Sequence, residues 1–197
     1  ENYFVLEGLA YRITPFNWKE TCGVTYPVDS EKMYRNLMNF KFGGLDNPDV
    51  YIDQTISRMC LSHRRLFADL AEQLILEGKN DKALQIMEKV DEGISPKLLP
   101  RNDVIDLQTA EMYLKLGKTS RTVEILSDIA ENYTSQMDWY LSMNNRRLMG
   151  SAEEFIDNAF LMDYYVIPLI RGLLDDETGM SVSTEFDVLC REFQNRT

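Results

Sequence analysis

The only histidine in the chain, His63, stands three residues after Cys60 and is followed at once by Arg64 and Arg65. On a helix this spacing puts a thiol and an imidazole one turn apart, where a base can take a proton from a nucleophile and neighbouring arginines lower the thiol pKa. A working dyad also needs a group that orients the base and donors for a developing oxyanion, and the sequence shows no residues arranged for either. A helical cysteine and histidine so placed ordinarily divide between core and surface. Adding Cys22 and Cys190 supplies the ligand count of a structural zinc site, but not its closely spaced ligand pairs. Asp46, Asn47, Asp49 and Asp53 gather oxygen ligands of the kind calcium uses, without the alternating order, central glycine and terminal glutamate of an EF-hand loop. Turn formation and a helix cap at Asp53 account for them. With 32 acidic residues, neighbours such as Glu153 and Glu154 or Asp175 and Asp176 do not single out a glycosidase pair. The chain has no phosphate-cradling glycine loop, no Gly-x-Ser-x-Gly turn and no His-Glu-x-x-His. Asn132, Tyr133 and Thr134 form a glycosylation sequon, within a stretch that reads as helix. These residues point to no catalytic group, no metal ligand and no cofactor, and an enzyme built on Cys60 and His63 stands as the alternative reading.

The elements that would position them are helical. Phe67, Leu70, Ala71 and Leu74 recur at helical spacing, Gly78 interrupts, and Ala83 and Met87 resume the pattern. Large, small and aromatic residues fall here at the offsets of a tetratricopeptide hairpin, and Ala110, Tyr113, Gly117, Thr122 and Leu126 make a poorer second copy. The expected fold is therefore all-α: tetratricopeptide-like hairpins over about 53–92 and 101–133, then helices over about 134–148, 151–175 and 181–195 that cap them. Leu107, Ala110, Tyr113 and Leu114 are expected inward on the third helix, and Val123, Leu126, Ile129, Ala130 and Tyr133 on the fourth. Ser151 with Glu154 reads as a capping box, Pro168 as a kink and Gly179 as a separator before the last helix. Residues 1–52 form an N-terminal segment, irregular and aromatic-rich at first, with a strand or short helix within Tyr3–Ile13. It then carries one helix capped by Asp29 or Ser30, bearing Met33, Leu37 and Phe40, and ending at Gly43 and Gly44. Its aromatics either clamp the segment onto the helical body or offer Tyr11 and Trp18 as stacking surfaces for a sugar or peptide.

A chain of 197 residues with 44% hydrophobic residues can bury a sizeable core. Its net charge of -11 argues against a nucleic-acid partner, because phosphate binding needs a basic face. The longest apolar runs fall far short of the about 20 residues needed to span a bilayer. Three widely separated cysteines do not read as a disulfide framework. The first residue is Glu1, so the sequence reads as a fragment of a longer protein, with any signal or membrane anchor lying upstream.

One set of residues goes further than periodicity. The run Leu6, Glu7, Gly8, Leu9, Ala10, Tyr11, Arg12, then Val28, Asp29, Glu31, Lys32, Met33, Tyr34, Asn36, Leu37 and Met38, then Phe42, Gly43, Gly44, Leu45, Tyr51 and Asp53, resembles a bacterial membrane-protein family. Members of that family look like protein O-mannosyltransferases in a multi-spanning N-terminal half and carry a helical-repeat C-terminal region. The resemblance covers the first third of the chain. It implies that the chain is the extracytoplasmic, periplasmic region of a membrane glycosyltransferase that uses a polyprenyl-phosphate sugar, with the catalytic acid in the absent membrane half. Glu7, Gly8, Tyr11, Arg12, Gly43 and Gly44 carry the signature, and Glu7 with Arg12 is expected as an ion pair docking the linker to the repeats. The implied partners are the membrane half and a protein or glycan acceptor. Because helical repeats present a surface built from the first helix of each hairpin, Arg58, Arg65, Glu72 and Glu111 are the expected polar contacts. A purely structural role supporting the membrane half is the remaining reading.

Overall fold

A computed structural model describes residues 2–23, 27–99, 103–173 and 176–197, and these are predominantly helical. The chain divides into two compact units, Glu1–Gly117 and Lys118–Thr197. The division falls inside the stretch read from sequence as one array of repeats, and residues 1–52 belong to the same unit as the first hairpin.

The first unit begins with an antiparallel hairpin of β1 (Phe4–Leu6) and β2 (Tyr11–Ile13), in which Val5 faces Arg12 and Leu6 faces Tyr11. Gly8, at φ 142°, occupies the turn, a conformation that side-chain-bearing residues rarely adopt. Leu6 continues the pairing on its other side, donating to Pro27 O and accepting from Asp29 N–H, both at 3.0 Å. The short helix α1 (Trp18–Cys22) is capped by the Asn17 side chain. Of the two cap residues read for the next helix, α2 (Ser30–Met38), Asp29 is the one used, its carboxylate accepting from Lys32 N–H at 3.1 Å. The helix buries Met33 and Leu37 but stops at Met38, so Phe40 is not on its face. Phe40 and Phe42 instead fold back from the turn at Gly43 and Gly44, and Phe42 packs on Phe67 with ring centroids 5.7 Å apart.

Asp53 caps α3 (Gln54–Leu76), accepting from Ile56 N–H at 2.8 Å, and the helix ends where Gly78 turns the chain at φ 74°. Its buried stripe of Phe67, Ala68, Leu70, Ala71 and Leu74 meets Ala83, Ile86, Met87 and Val90 of α4 (Asn80–Gly93). The alanines let two backbones approach closely between large side chains, which is how a helical pair reaches interior packing density. After a turn at Pro96–Leu98, α5 (Asp103–Lys115) packs against α3. Ala110 and Tyr113 of α5 are buried as expected, together with Ile105 and Met112, whereas Leu107 and Leu114 are only half-buried. Asn102, the expected start of this helix, and Pro100 lie outside the described residues.

The second unit is built on α6 (Thr119–Leu141), which runs unbroken through residues 134–141 read as a possible separate helix. Leu126, Ile129, Ala130 and Tyr133 are buried along it, and Met137 and Leu141 extend the stripe, while Val123 is half-buried. Asn144 then caps the short α7 (Asn145–Gly150) by accepting from Arg147 N–H at 3.1 Å. The expected single helix over 151–175 is instead α8 (Ala152–Leu161), a π turn (Met162–Val166) and α9 (Ile167–Leu173). Proline at 168 has no N–H to give to the carbonyl one turn back, and the wider register, with Ile167 N–H on Met162 O, lets the helix pass without a break. Ser151 makes no side-chain cap, so the expected capping box with Glu154 does not form. Gly179 does not separate two helices either: α10 spans Asp176–Arg196 through it, at the modest cost glycine carries inside a helix. Arg196 donates to the carbonyls of Leu141 and Met143, tying the end of α10 to the C-terminus of α6.

Candidate functional site

The polar surface expected on the first helices is partly assembled. Arg58, Arg65 and Glu72 recur every seven residues along α3 and are all exposed on one side of it. On α5, Gln108, Glu111 and Lys115 form a matching stripe. The two stripes meet: Gln108 Nε2 donates to Asp69 Oδ1 at 2.9 Å, and Lys115 Nζ lies 3.7 Å from Glu72 Oε1. Glu111, exposed, sits between these bridging residues on α5. Arg58 and Arg65 form no ion pair among the described residues and stand toward the N-terminal part of α3, apart from the bridges. Among the described residues the face therefore carries two cations without an ion pair at one end and, at the other, the carboxylates of Asp69, Glu72 and Glu111 with the single cation Lys115, an arrangement able to orient a ligand that is anionic at one end.

Tyr11 and Trp18 are not brought together. Tyr11 pairs with Leu6 near the turn of the β-hairpin, exposed and edge-on to Phe4 at 6.3 Å. Trp18 sits at the open end, where its N–H donates to Asn2 O at 2.9 Å and its indole donates to Thr14 Oγ1 at 3.0 Å. Tyr3, Phe4, Tyr11 and Phe16 are substantially exposed, and the residues that anchor the segment are Val5, Leu6 and Thr14.

Glu7 and Arg12 form the expected ion pair, and Lys32 of α2 joins it at 2.5 Å from Glu7 Oε2. Lys32 and Arg12 together hold the Glu7 carboxyl below its usual range. Asn36 Nδ2 donates to Glu7 O at 2.6 Å, so the signature run is fastened to α2 on two sides, with Gly8 against Asn36. The same helix is clamped to the α3–α4 turn. Glu31 lies 2.8 Å from Lys79 Nζ and 2.7 Å from Lys82 Nζ, which bring its pKa down to about 2. Ser30 donates to Glu77 Oε2 at 2.7 Å, and Tyr34 donates to Gln85. Gly43 and Gly44, at φ 64° and 88°, make the chain reversal that follows α2.

The Cys60 neighbourhood has the wrong electrostatics for a nucleophile. Cys60 is 2% exposed, and burial pushes its thiol pKa up, away from the thiolate form. Burial also lowers the pKa of His63, whose ring packs edge-on against Phe40 at 5.2 Å. Arg64, read as a neighbour that would activate the thiol, is turned into the core. Only 5% exposed, it donates to Asp91 Oδ1 at 3.3 Å, and the other oxygen of Asp91 accepts from Tyr113 at 2.7 Å. This three-helix link between α3, α4 and α5 is absent from the sequence reading: helical period does place Arg64 on the buried stripe of Cys60, Phe67 and Ala68, but its partners Asp91 and Tyr113 come from helices remote in sequence. The acidic loop before α3 is accounted for by turns, with Asn47 accepting from Asp49 N–H at 3.0 Å and Asp53 capping the helix. Among the described residues no group of three or more His, Cys, Asp or Glu side chains converges as for a metal ion. Thr134 of the sequon is 7% exposed and donates to Ala130 O at 2.9 Å, and Tyr133 is buried. Among the described residues no helix is long and apolar enough to cross a membrane. No protein-family profile matches the chain, and no curated protein or solved structure matches it either.

Proposed function

We propose that the chain is a non-catalytic, tetratricopeptide-like helical domain that binds a protein or glycan acceptor on the face formed by α3 and α5. The observation that carries this reading is the side-by-side packing of α3 and α5. They are the first helices of the two expected hairpins, joined by Gln108–Asp69 and Lys115–Glu72, with Arg58 and Arg65 further toward the start of α3 and in no ion pair among the described residues. First helices aligned this way make the recognition surface of helical-repeat proteins. The resemblance of the signature run supports placing the domain beside the membrane half of a glycosyltransferase, on the extracytoplasmic side, with catalysis in that half. The raised thiol pKa and buried setting of Cys60 favour this reading over a thiol enzyme.

Thermal shift tests it. The chain is heated with polyprenyl-phosphate sugars, free glycans and extracytoplasmic peptides in turn, since a ligand of the folded state raises stability by about 2.7 kcal/mol at a hundred times its Kd. A shift with one class is expected, and the quadruple charge reversal of Arg58, Arg65, Glu72 and Glu111 is expected to abolish it. Binding left intact by that variant refutes the placement. No shift with any class reduces the domain to a support for the membrane half.

A further inference from the structure

The second unit carries an apolar groove that neither the repeat pattern nor the signature run involves. It lies between α8 and α10 and encloses about 440 Å³. Phe155 and Phe193 stack at 4.1 Å, nearly parallel, and with Phe186 make its floor. Phe155 is fully buried, so the floor is preformed. The wall on the α8 side is exposed and apolar: Ile156 is 54% and Phe160 59% accessible. Phe160 continues into Tyr164 and Tyr165, its ring stacked on Tyr164 at 5.4 Å. The π turn keeps this cluster together where Pro168 forces the helix out of register, and such turns recur at functional sites. From Ile156 to Tyr164 the strip runs about 12 Å along the axis, or two helical turns of a partner.

The charge around the groove selects the partner. Residues 152–166 contain Glu153, Glu154, Asp157 and Asp163 and no lysine or arginine. Asp163 lines the groove itself, and both Asp163 and Asp187 act on Cys190 in its wall, raising that thiol's pKa after burial has done so. On α10 exposed Arg191 stands one turn after Asp187 and offsets that acid, so the acid the groove offers a partner's cation is Asp163, while Arg196 at the end of the helix donates to the carbonyls of Leu141 and Met143. A second copy of this acidic chain would bring like charges together, and an anionic lipid surface would be repelled for the same reason.

We infer that the α8–α10 groove is a docking site for a cationic amphipathic helix of a partner protein, which seats apolar side chains against Ile156, Phe160 and half-buried Phe193, over the buried Phe155 and Phe186, and sets lysines or arginines against Asp163. Recognition of this kind reads anchors at i, i+3 or i+4 and i+7 along the bound helix. The inference rests on the reading of the chain as a binding domain but uses a different surface from α3 and α5.

The test is fluorescence anisotropy of the whole chain with a labelled leucine–lysine model helix, its leucines at i, i+3, i+4 and i+7, and with the same helix carrying glutamate in place of lysine. The lysine helix should bind at least tenfold more tightly than the glutamate helix. Phe160→Ser, at an exposed position, should weaken it about tenfold, and Asp163→Asn several-fold with a shallower salt dependence. Charge reversal at Arg58 and Arg65 should leave it unchanged, so the two surfaces fail separately. Equal binding of both helices, or binding indifferent to Phe160→Ser, overturns the proposal. So does a concentration-dependent dimer in sedimentation that Phe160→Ser abolishes, which would give the groove to a second copy, or an oligosaccharide that displaces the lysine helix.

Discussion

At the scale of single residues, Gly93 shows how little room separates α4 from the segment that crosses it. It ends α4, and a Cβ built there would lie 2.0 Å from Cδ2 of Phe42, whose ring is itself held between Phe67 and Phe40. The ring cannot swing aside without losing both neighbours, so Gly93→Ala is expected to cost about 1–3 kcal/mol, the range for overpacking a filled core. Urea denaturation measures it, and the check on cause is Phe42→Leu in the same chain. If the clash is responsible, alanine at 93 costs distinctly less when leucine replaces the ring. An equal cost in both backgrounds would put the effect in the helix backbone. The contrast with Arg64 is instructive, because its buried link to Asp91 and Tyr113 depends on three helices arriving together, and no property of residue 64 alone announces it.

At the scale of elements, α2 is held by the buried Met33 and Leu37 and, along its exposed edge, by ion pairs. Lys79 and Lys82 depress the Glu31 pKa from the ordinary carboxylate value of 4.5 to about 2, and Glu31 with Glu77 raises that of Lys79. A depressed carboxylate stabilises the fold above its unfolded pKa and loses that contribution as the pH falls toward its folded one; a raised lysine loses its contribution only on the alkaline side. Glu31→Gln should therefore lower the urea midpoint at pH 7, and the gap to the unsubstituted chain should close steadily between pH 5 and about 2. A gap constant across that window would mean that packing of the side-chain stem is what is lost. The elements themselves were legible in the sequence wherever the signal is local. Asp29 and Asp53 cap by their own geometry, and Gly78 and Gly117 both take the left-handed conformation that ends a helix. Legibility failed where neighbours decide. Ser151 and Glu154 match a capping box yet make no cap, and Gly179 is carried inside α10, while the helix that contains Pro168 takes a π turn just before it. Of the expected site, the stripe Arg58, Arg65 and Glu72 follows from helical period alone, whereas its bridges to α5 and the groove between α8 and α10 need helices remote in sequence to meet.

At the scale of the whole molecule, the dominant electrostatic fact is an excess of acids, 32 against 21 bases, for a net charge of -11. Two effects of salt then oppose each other. Screening weakens the surface pairs, among them Lys82–Glu31, Lys79–Glu31, Lys115–Glu72 and Arg121–Glu124, and exposed pairs of this kind each contribute little. Screening also relieves the mutual repulsion of the excess carboxylates, which acts over the whole surface and is stronger in the compact state than in the expanded one. Carboxylates left over after pairing outnumber the pairs that salt can damage, and at 0.15 M the screening length is already about 8 Å, shorter than most distances between unpaired charges on a domain of this size. Relief of repulsion should win, so Tm at pH 7 is expected to rise by a few degrees between 10 mM and 300 mM sodium chloride and then level off. Sodium chloride is the appropriate salt because sulfate would add its own effect on apolar burial. A Tm that falls over the same range would show that the clamp on α2 outweighs the net charge, and Glu31→Gln would then remove most of the fall; a rise that persists in Glu31→Gln identifies the repulsion as its source.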